Sequence, residues 1–176
     1  MNAQKPKIIV VLGPTASGKT AMAIKLAQKF NGEIICLDSR TIYKGLDIGS
    51  AKPTYSEMQG IPHYLLDISN PDKIITLSEI KRLAEDKISD VISRDKVPFL
   101  VGGTALYAYA ILENWQIPET EPDAKFRENL EKLNLDDLTE KLKLLSEEMY
   151  SKVDLKNKRR VVRALEILEH GGERSS

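Results

Sequence analysis

The sequence predicts an α/β fold, a parallel sheet flanked by helices, and two observations carry that expectation. Short, continuous apolar runs ("KIIVVLG", "VPFLVGG") alternate with longer stretches of helical period, which is the grammar of a doubly wound sheet. A glycine-rich octet also separates the first such run from the first helical stretch. Lys7 to Gly13 holds a short, continuous apolar run rich in β-branched residues, so it is expected as a strand buried on both faces. Thr20 to Phe30 follows as a helix with Met22, Ala23, Leu26, Ala27 and Phe30 on one stripe, and Asn31-Gly32 is its stop signal. Glu33 to Leu37 gives a second strand, Ser78 to Asp95 a long amphipathic helix, and Val97 to Gly103 a third strand, with a further short strand expected over His63 to Ile68.

This first domain is expected over residues 1–115. "QIPETEPD", residues 116 to 123, is a Pro-rich polar linker. The segment 116–155 is densely charged, with Leu130, Leu133, Leu138, Leu142 and Leu145 at roughly helical spacing, and reads as a small helical insertion serving as a lid, a spacer or an RNA-facing element. Residues 156–176 are expected to form a last helix returning to the core, with Val161, Leu165 and Leu168 on its apolar face and Gly171-Gly172 as its stop.

Composition narrows the field. Apolar residues make up 41% and charged residues 30%, with 26 Lys+Arg against 26 Asp+Glu. A nucleic-acid partner would therefore have to meet a local basic patch rather than a globally basic surface. The single Cys36 excludes an internal disulfide, no Cys/His cluster has zinc spacing, and no apolar stretch has the length of a membrane span. The opening "MNAQKPK" lacks the apolar core of a secretory signal. A cytoplasmic location is the expectation.

"GPTASGKT" fits G-x-x-x-x-G-K-[ST] completely, between an expected buried strand and an expected helix. The fold class thereby sharpens to a P-loop NTPase-like sheet. Gly13, Pro14, Thr15, Ala16, Ser17, Gly18, Lys19 and Thr20 form the candidate phosphate site. Backbone N–H groups and the helix N-terminus would face one anion, Lys19 would neutralise phosphate oxygens, and Thr20 would offer its hydroxyl to Mg²⁺. The third strand ends in Gly102-Gly103-Thr104, without the acidic residue that holds Mg²⁺ in nucleotide hydrolases. Asp38 is the alternative carboxylate. The second strand is expected near the P-loop strand, so its carboxyl end opens into the crevice where such sheets bind ligands. There Asp38 would take a proton from an incoming nucleophile; its bland reading is a turn cap shared with Ser39.

Beyond the P-loop, "LDSRTIYKGLDIGSAKP", "GIPHYLLDI", "LVGGTALY" and "RRVVRALEI" follow in order from Leu37 to Ile167. With them the chain resembles the tRNA dimethylallyltransferase (tRNA isopentenyltransferase) family, P-loop transferases that prenylate an adenosine beside the anticodon. The resemblance implies a prenyltransferase taking dimethylallyl diphosphate and tRNA as partners, with Mg²⁺ as cofactor. It implies that residues 13 to 20 hold the diphosphate, that Asp38 is the general base, and that Thr104 and Lys19 lie at the reacting centre. It also implies tRNA contacts at Asp38, Ser39, Arg40, Thr41 and Thr104, and at Arg159, Arg160, Val161, Val162 and Arg163. Spacing alone would make that last stretch a solvated basic helix face.

Departures from the family pattern are mild at Ser50, Ala105 and Arg159. The larger one is length, since the chain stops at Ser176 before further strands and helices of the pattern. A truncated form or fragment is the expectation. The P-loop strand would then have an open edge, which self-association or a fragment partner would cover. Two other functions share the P-loop: a small-molecule kinase using ATP, and a tRNA-binding remnant without turnover.

Overall fold

The computed structural model describes residues 7–117 and 123–170. The chain divides into two compact units that meet between Asn114 and Trp115. Most of the linker and both residues of the Gly171-Gly172 stop lie outside the described residues.

The first unit holds β1 (Ile9–Leu12), α1 (Lys19–Lys29), β2 (Gly32–Cys36), β3 (His63–Tyr64), α2 (Leu77–Ser93), β4 (Val97–Gly102) and α3 (Ala105–Leu112). Its strands form one parallel sheet in the order β1-β4-β2-β3. The register aligns Ile9 with Phe99 and Ile34 with Phe99 on the other side, so β4 is the central rail. Apolar cores fill both faces. Ala23, Ile24 and Ala27 of α1 pack on Ile34, Cys36, Phe99 and Val101, while Ala84 and Ile88 of α2 and Ala108 and Ile111 of α3 pack on Ile35, Leu37 and Leu100.

Several expectations need correction here. β1 is half-exposed rather than buried on both faces, because among the described strands it pairs with β4 alone. β2 is not its neighbour; β4 lies between them. On α1 the inward stripe is Ala23, Ile24 and Ala27, whereas Met22 and Phe30 are 58% and 46% exposed. The small residues at 23 and 27 let the helix approach the sheet and rotate Ile24 inward. The short strand is limited to His63–Tyr64, since Leu65 and Asp67 adopt positive φ and break the extended run. α3 was not anticipated.

The bottom of the sheet carries a buried charge cluster. Glu33 is 1% exposed and receives Arg94 Nη1 and Nη2 at 2.8 and 2.7 Å, Lys96 Nζ at 2.5 Å and the Tyr64 hydroxyl at 2.7 Å. The Arg94 hydrogen bond above all, against the opposing effect of burial, pulls its pKa down to about 2.

The second unit consists of α4 (Ala124–Glu131), α5 (Leu135–Leu145), α6 (Glu147–Lys152) and α7 (Lys158–Glu169). Each begins at a side-chain cap, Asp123, Asn134, Ser146 and Asn157 respectively, which accepts an N–H of the first turn. Leu130, Leu138, Leu142, Met149, Val161 and Leu165 form its core; Leu133 and Leu145 point outward. The final helix, expected to return to the P-loop core, packs against α4 and α5 within this unit. Its own buried carboxylate, Glu166, is fully enclosed and accepts from Arg127 Nε and Nη2 at 2.9 and 2.7 Å, Arg163 Nη1 at 2.5 Å and the Asp123 N–H at 2.7 Å. Burial opposes ionisation, but the two guanidinium groups outweigh it and the pKa lies below the ordinary value.

Because the folded-state pKa of Glu33 is depressed, its contribution to stability is complete above about pH 4.5 and drains as pH falls toward 2. Glu33→Ala leaves Arg94 and Lys96 without their carboxylate and should cost on the order of 3 kcal/mol at neutral pH. In urea titrations the gap between variant and wild type should narrow as pH falls from 5 to 2.

Candidate active site at the carboxyl ends of the central strands

β1 ends at Leu12, and the chain turns through Gly13–Gly18 into α1. Gly18 takes φ +79, a left-handed conformation open to glycine without strain, and it caps the helix with no side-chain hydrogen bond. The first turn of α1 carries no acidic residue. Its N–H groups and the positive end of the helix dipole are therefore left to an external anion. Lys19 folds back over the loop, its ammonium donating to the Pro14 carbonyl at 3.1 Å.

Two further turns are sewn to each other beside this loop. The Leu37 N–H donates to Val101 O at 2.8 Å, the Thr104 N–H to Leu37 O at 3.2 Å, and the Ser39 N–H to Thr104 Oγ1 at 3.2 Å. A Cβ on Gly102 would sit 1.9 Å from the Leu37 carbonyl oxygen, so only glycine permits this approach. The Gly13 N–H donates in turn to Gly102 O at 3.4 Å. The ends of β1, β4 and β2 are thus held side by side.

Asp38 leaves β2 at this seam. Its Oδ1 accepts the Arg40 N–H at 2.9 Å, so the turn-capping reading is correct for one carboxylate oxygen. The side chain also lines a cavity of about 390 Å³ shared with Thr15 to Thr20 of the P-loop, a size in the range of small-ligand sites. Ile24, Ile34, Cys36, Leu66 and Val101 supply the cavity's apolar wall. Burial first, and the charge of Asp38 second, push the Cys36 thiol up to about 12, which keeps it protonated and inert. Burial also raises the Tyr107 pKa, with Tyr43 and Asp38 adding to the effect.

Two buried polar atoms on the cavity wall have no hydrogen-bond partner within the described protein, Thr41 Oγ1 and His63 Nε2. His63 donates from Nδ1 to Ile61 O at 2.8 Å, and burial lowers its pKa, so the bare Nε2 is an acceptor. Such groups are normally satisfied, and a ligand carrying donors would satisfy them here.

The structure brings Thr15, Ala16, Ser17, Gly18, Lys19, Thr20, Asp38 and Thr41 to one cavity. Gly13, Ser39 and Thr104 form the seam beside it, and Pro14 holds the loop's internal bonds. Arg40 is exposed at the rim of the same turn. The α7 stretch lies in the other unit. Arg159 and Arg163 line a second cavity with Arg127 and Lys158, and Arg160 pairs with Asp154 at 3.3 Å. Val161 and Val162 are 0% and 5% exposed in the helical core. Sequence reasoning missed Cys36, His63, Leu66 and the Ser50-Ala51-Pro53 stretch as cavity walls. The last lies inside the long motif following Asp38, a signal that was available.

A parallel sheet with a P-loop after its first strand and a carboxylate at the end of another has the architecture of a P-loop protein. Comparison with known proteins narrows it. Residues 41–176 match the IPP transferase family, and the chain belongs to that family. It is 43% identical over 170 residues to a tRNA dimethylallyltransferase of Roseiflexus sp. (strain RS-1), covering 94% of this chain and 56% of that protein. It is likewise 43% identical over 177 residues to the tRNA dimethylallyltransferase of Bacillus anthracis, covering 98% and 56%. A crystal structure of the full-length tRNA isopentenylpyrophosphate transferase from Bacillus halodurans aligns with TM-score 0.64 and 38% identity, over 94% of this chain and 56% of that one. A eukaryotic dimethylallyltransferase captured acting on tRNA aligns with TM-score 0.79 and 32% identity, over 92% and 41%. The chain therefore spans 56% of the length of these bacterial relatives.

If the P-loop holds the anion, Lys19→Met removes one charge-assisted contact and should weaken binding of inorganic pyrophosphate by roughly 10- to 100-fold in calorimetry. The thermal midpoint should barely move.

Proposed function

We propose that the chain acts as a tRNA prenyltransferase, holding the donor diphosphate and accepting the amine proton as it moves a dimethylallyl group to the exocyclic amine of an adenosine beside the anticodon. The observation that carries this reading is the shared cavity. The P-loop and Asp38 line one apolar-walled space, and relatives at 43% identity bear the name of that reaction; both support the reading.

In the proposed reaction the amine nitrogen attacks the allylic carbon, the carbon–oxygen bond to the diphosphate breaks, and its electron pair leaves with the diphosphate. Negative charge grows on the leaving group. P-loop N–H groups and Lys19 are positioned to stabilise that charge. The amine proton passes to Asp38, whose Oδ1 is steadied by the Arg40 N–H. The apolar wall holds the prenyl group away from water. Thr104, through its bond to the Ser39 N–H, fixes the turn that carries Asp38.

Mg²⁺ fits this site through the Thr20 hydroxyl, a hard oxygen donor in the first turn of α1 that lines the cavity. Among the described residues no group of three or more His, Cys, Asp or Glu side chains could hold a metal ion, so the remaining ligands would come from the diphosphate. The ion would add charge neutralisation at the leaving group.

For tRNA, Ser39, Arg40 and Thr41 are the proposed contacts near the reacting base. Arg159, Arg160 and Arg163 are the proposed phosphate contacts on α7. No helix among the described residues is long and apolar enough to cross a membrane, and the cytoplasm, where tRNA is matured, is the proposed location. The edge of β1 that no strand among the described residues pairs is the proposed face for self-association or a fragment partner.

The deciding experiment incubates the chain with labelled dimethylallyl diphosphate, Mg²⁺ and an unmodified anticodon stem-loop. Label should reach the stem-loop, and Asp38→Ala should lower the rate by about 10² to 10⁴ while pyrophosphate affinity stays within twofold. Pyrophosphate binding without any transfer by the wild-type chain would reject the reading.

A further inference from the structure

One ionic cluster stands behind the cavity wall rather than in it. Lys52 carries an ammonium whose side chain is 6% exposed. Its three protons reach the Tyr43 carbonyl at 2.9 Å, Asp47 Oδ1 at 2.7 Å and Asp67 Oδ1 at 2.5 Å. Burial opposes the charge, but the two carboxylates outweigh it and raise the pKa, so the group stays protonated.

The residues on either side of Lys52 face the other way. Ser50, Ala51 and Pro53 line the cavity. On the opposite segment, Asp67 follows the cavity-lining Leu66, and its N–H donates at 3.2 Å to the carbonyl of Thr41, another wall residue. Ala51 and Asp67 both hold positive φ, at 51° and 53°, conformations that cost energy in a non-glycine residue and persist only where the surroundings enforce them. An isolated bridge between Tyr43 and Ser69 pins the backbone beside Asp67, whereas the stretch from Gly45 to Pro53 joins no strand and is held by its own turns, Ala51 N–H to Ile48 O and Lys52 N–H to Asp47 O, both at 3.2 Å.

We propose that Lys52 is a positioning residue that clamps the 50–53 and 66–67 walls onto the cavity shared by the P-loop and Asp38. This rests on the prenyl-transfer reading for its effect on rate, but not for its effect on the wall. Without the ammonium, two carboxylates that are 66% and 48% exposed repel each other with only water as donor, nothing ties Asp47 to Asp67, and local opening of the 43–53 segment becomes cheaper. The P-loop does not touch the clamp, so donor binding should survive its loss.

Cys36, the chain's single cysteine, lines the cavity at 9% exposure and reports wall opening directly. In Lys52→Met, reaction of Cys36 with a small aromatic disulfide should accelerate at least about tenfold while pyrophosphate affinity stays within about twofold. In the transfer assay kcat should fall on the order of a hundredfold with the KM for the prenyl diphosphate nearly unchanged. Lys52→Arg keeps the charge and should recover part of both. Asp67→Asn keeps an acceptor and guards against loss of fold in the Met variant; it should accelerate Cys36 by about threefold. Wild-type thiol rates in folded Lys52→Met and Asp67→Asn would overturn the proposal. A wild-type chain that binds pyrophosphate without transferring label would sink the functional reading alone, because the thiol rates would still decide the clamp.

Discussion

The close approach of Gly102 to the Leu37 carbonyl is the constraint on which the site depends. β4 must run beside β2 until the Thr104 N–H can reach Leu37 O, and any side chain at position 102 would force the two strand ends apart. Three consequences follow from that one contact. Asp38 emerges at the top of the sheet, its turn is fixed by the Ser39 to Thr104 bond, and the P-loop is tied to the same seam through Gly13 and Gly102. Asp38 and the P-loop thereby share a cavity although β1 and β2 are not neighbours in the sheet. Gly102 at the end of β4 is thus a structural device, whereas a Cβ at Gly103 would meet only ordinary contacts.

Much of the first unit was legible because its signals are local. Apolar runs over 7–13, 33–37 and 97–103 mark strands, and the octet 13–20 marks the turn from β1 into α1. Strand order was less legible, since no local feature of β2 says that β4 will insert beside it. Burial on β1 was overestimated for the same reason: a β-branched run reads alike at the centre and the edge of a sheet. The stripe on α1 failed at Met22 and Phe30, where helical periodicity fixes a face but not the rotation that Ala23 and Ala27 allow.

The site was legible in parts. Asp38 and residues 15–20 converge as their motifs implied. The walls supplied by Cys36, His63 and Leu66 were not, because each is one side chain whose facing direction depends on tertiary register. Val161 and Val162 belong to the core of the helical unit, a placement the motif match did not specify. Balanced composition hid a further regularity: Glu33 and Glu166 each gather Arg partners at a buried carboxylate, so opposite charges that cancel in a count are doing separate jobs inside each unit.

The central claim is that an anion on the P-loop and the Asp38 turn belong to one site. Titrating the isotopically labelled chain with inorganic pyrophosphate, and following backbone amide resonances by NMR, tests it most directly. Amides of Ser17 to Thr20 and those of Asp38 to Thr41 should shift together along one saturation curve with a single Kd. Saturating shifts confined to the P-loop, with the Asp38 turn unmoved, would contradict it.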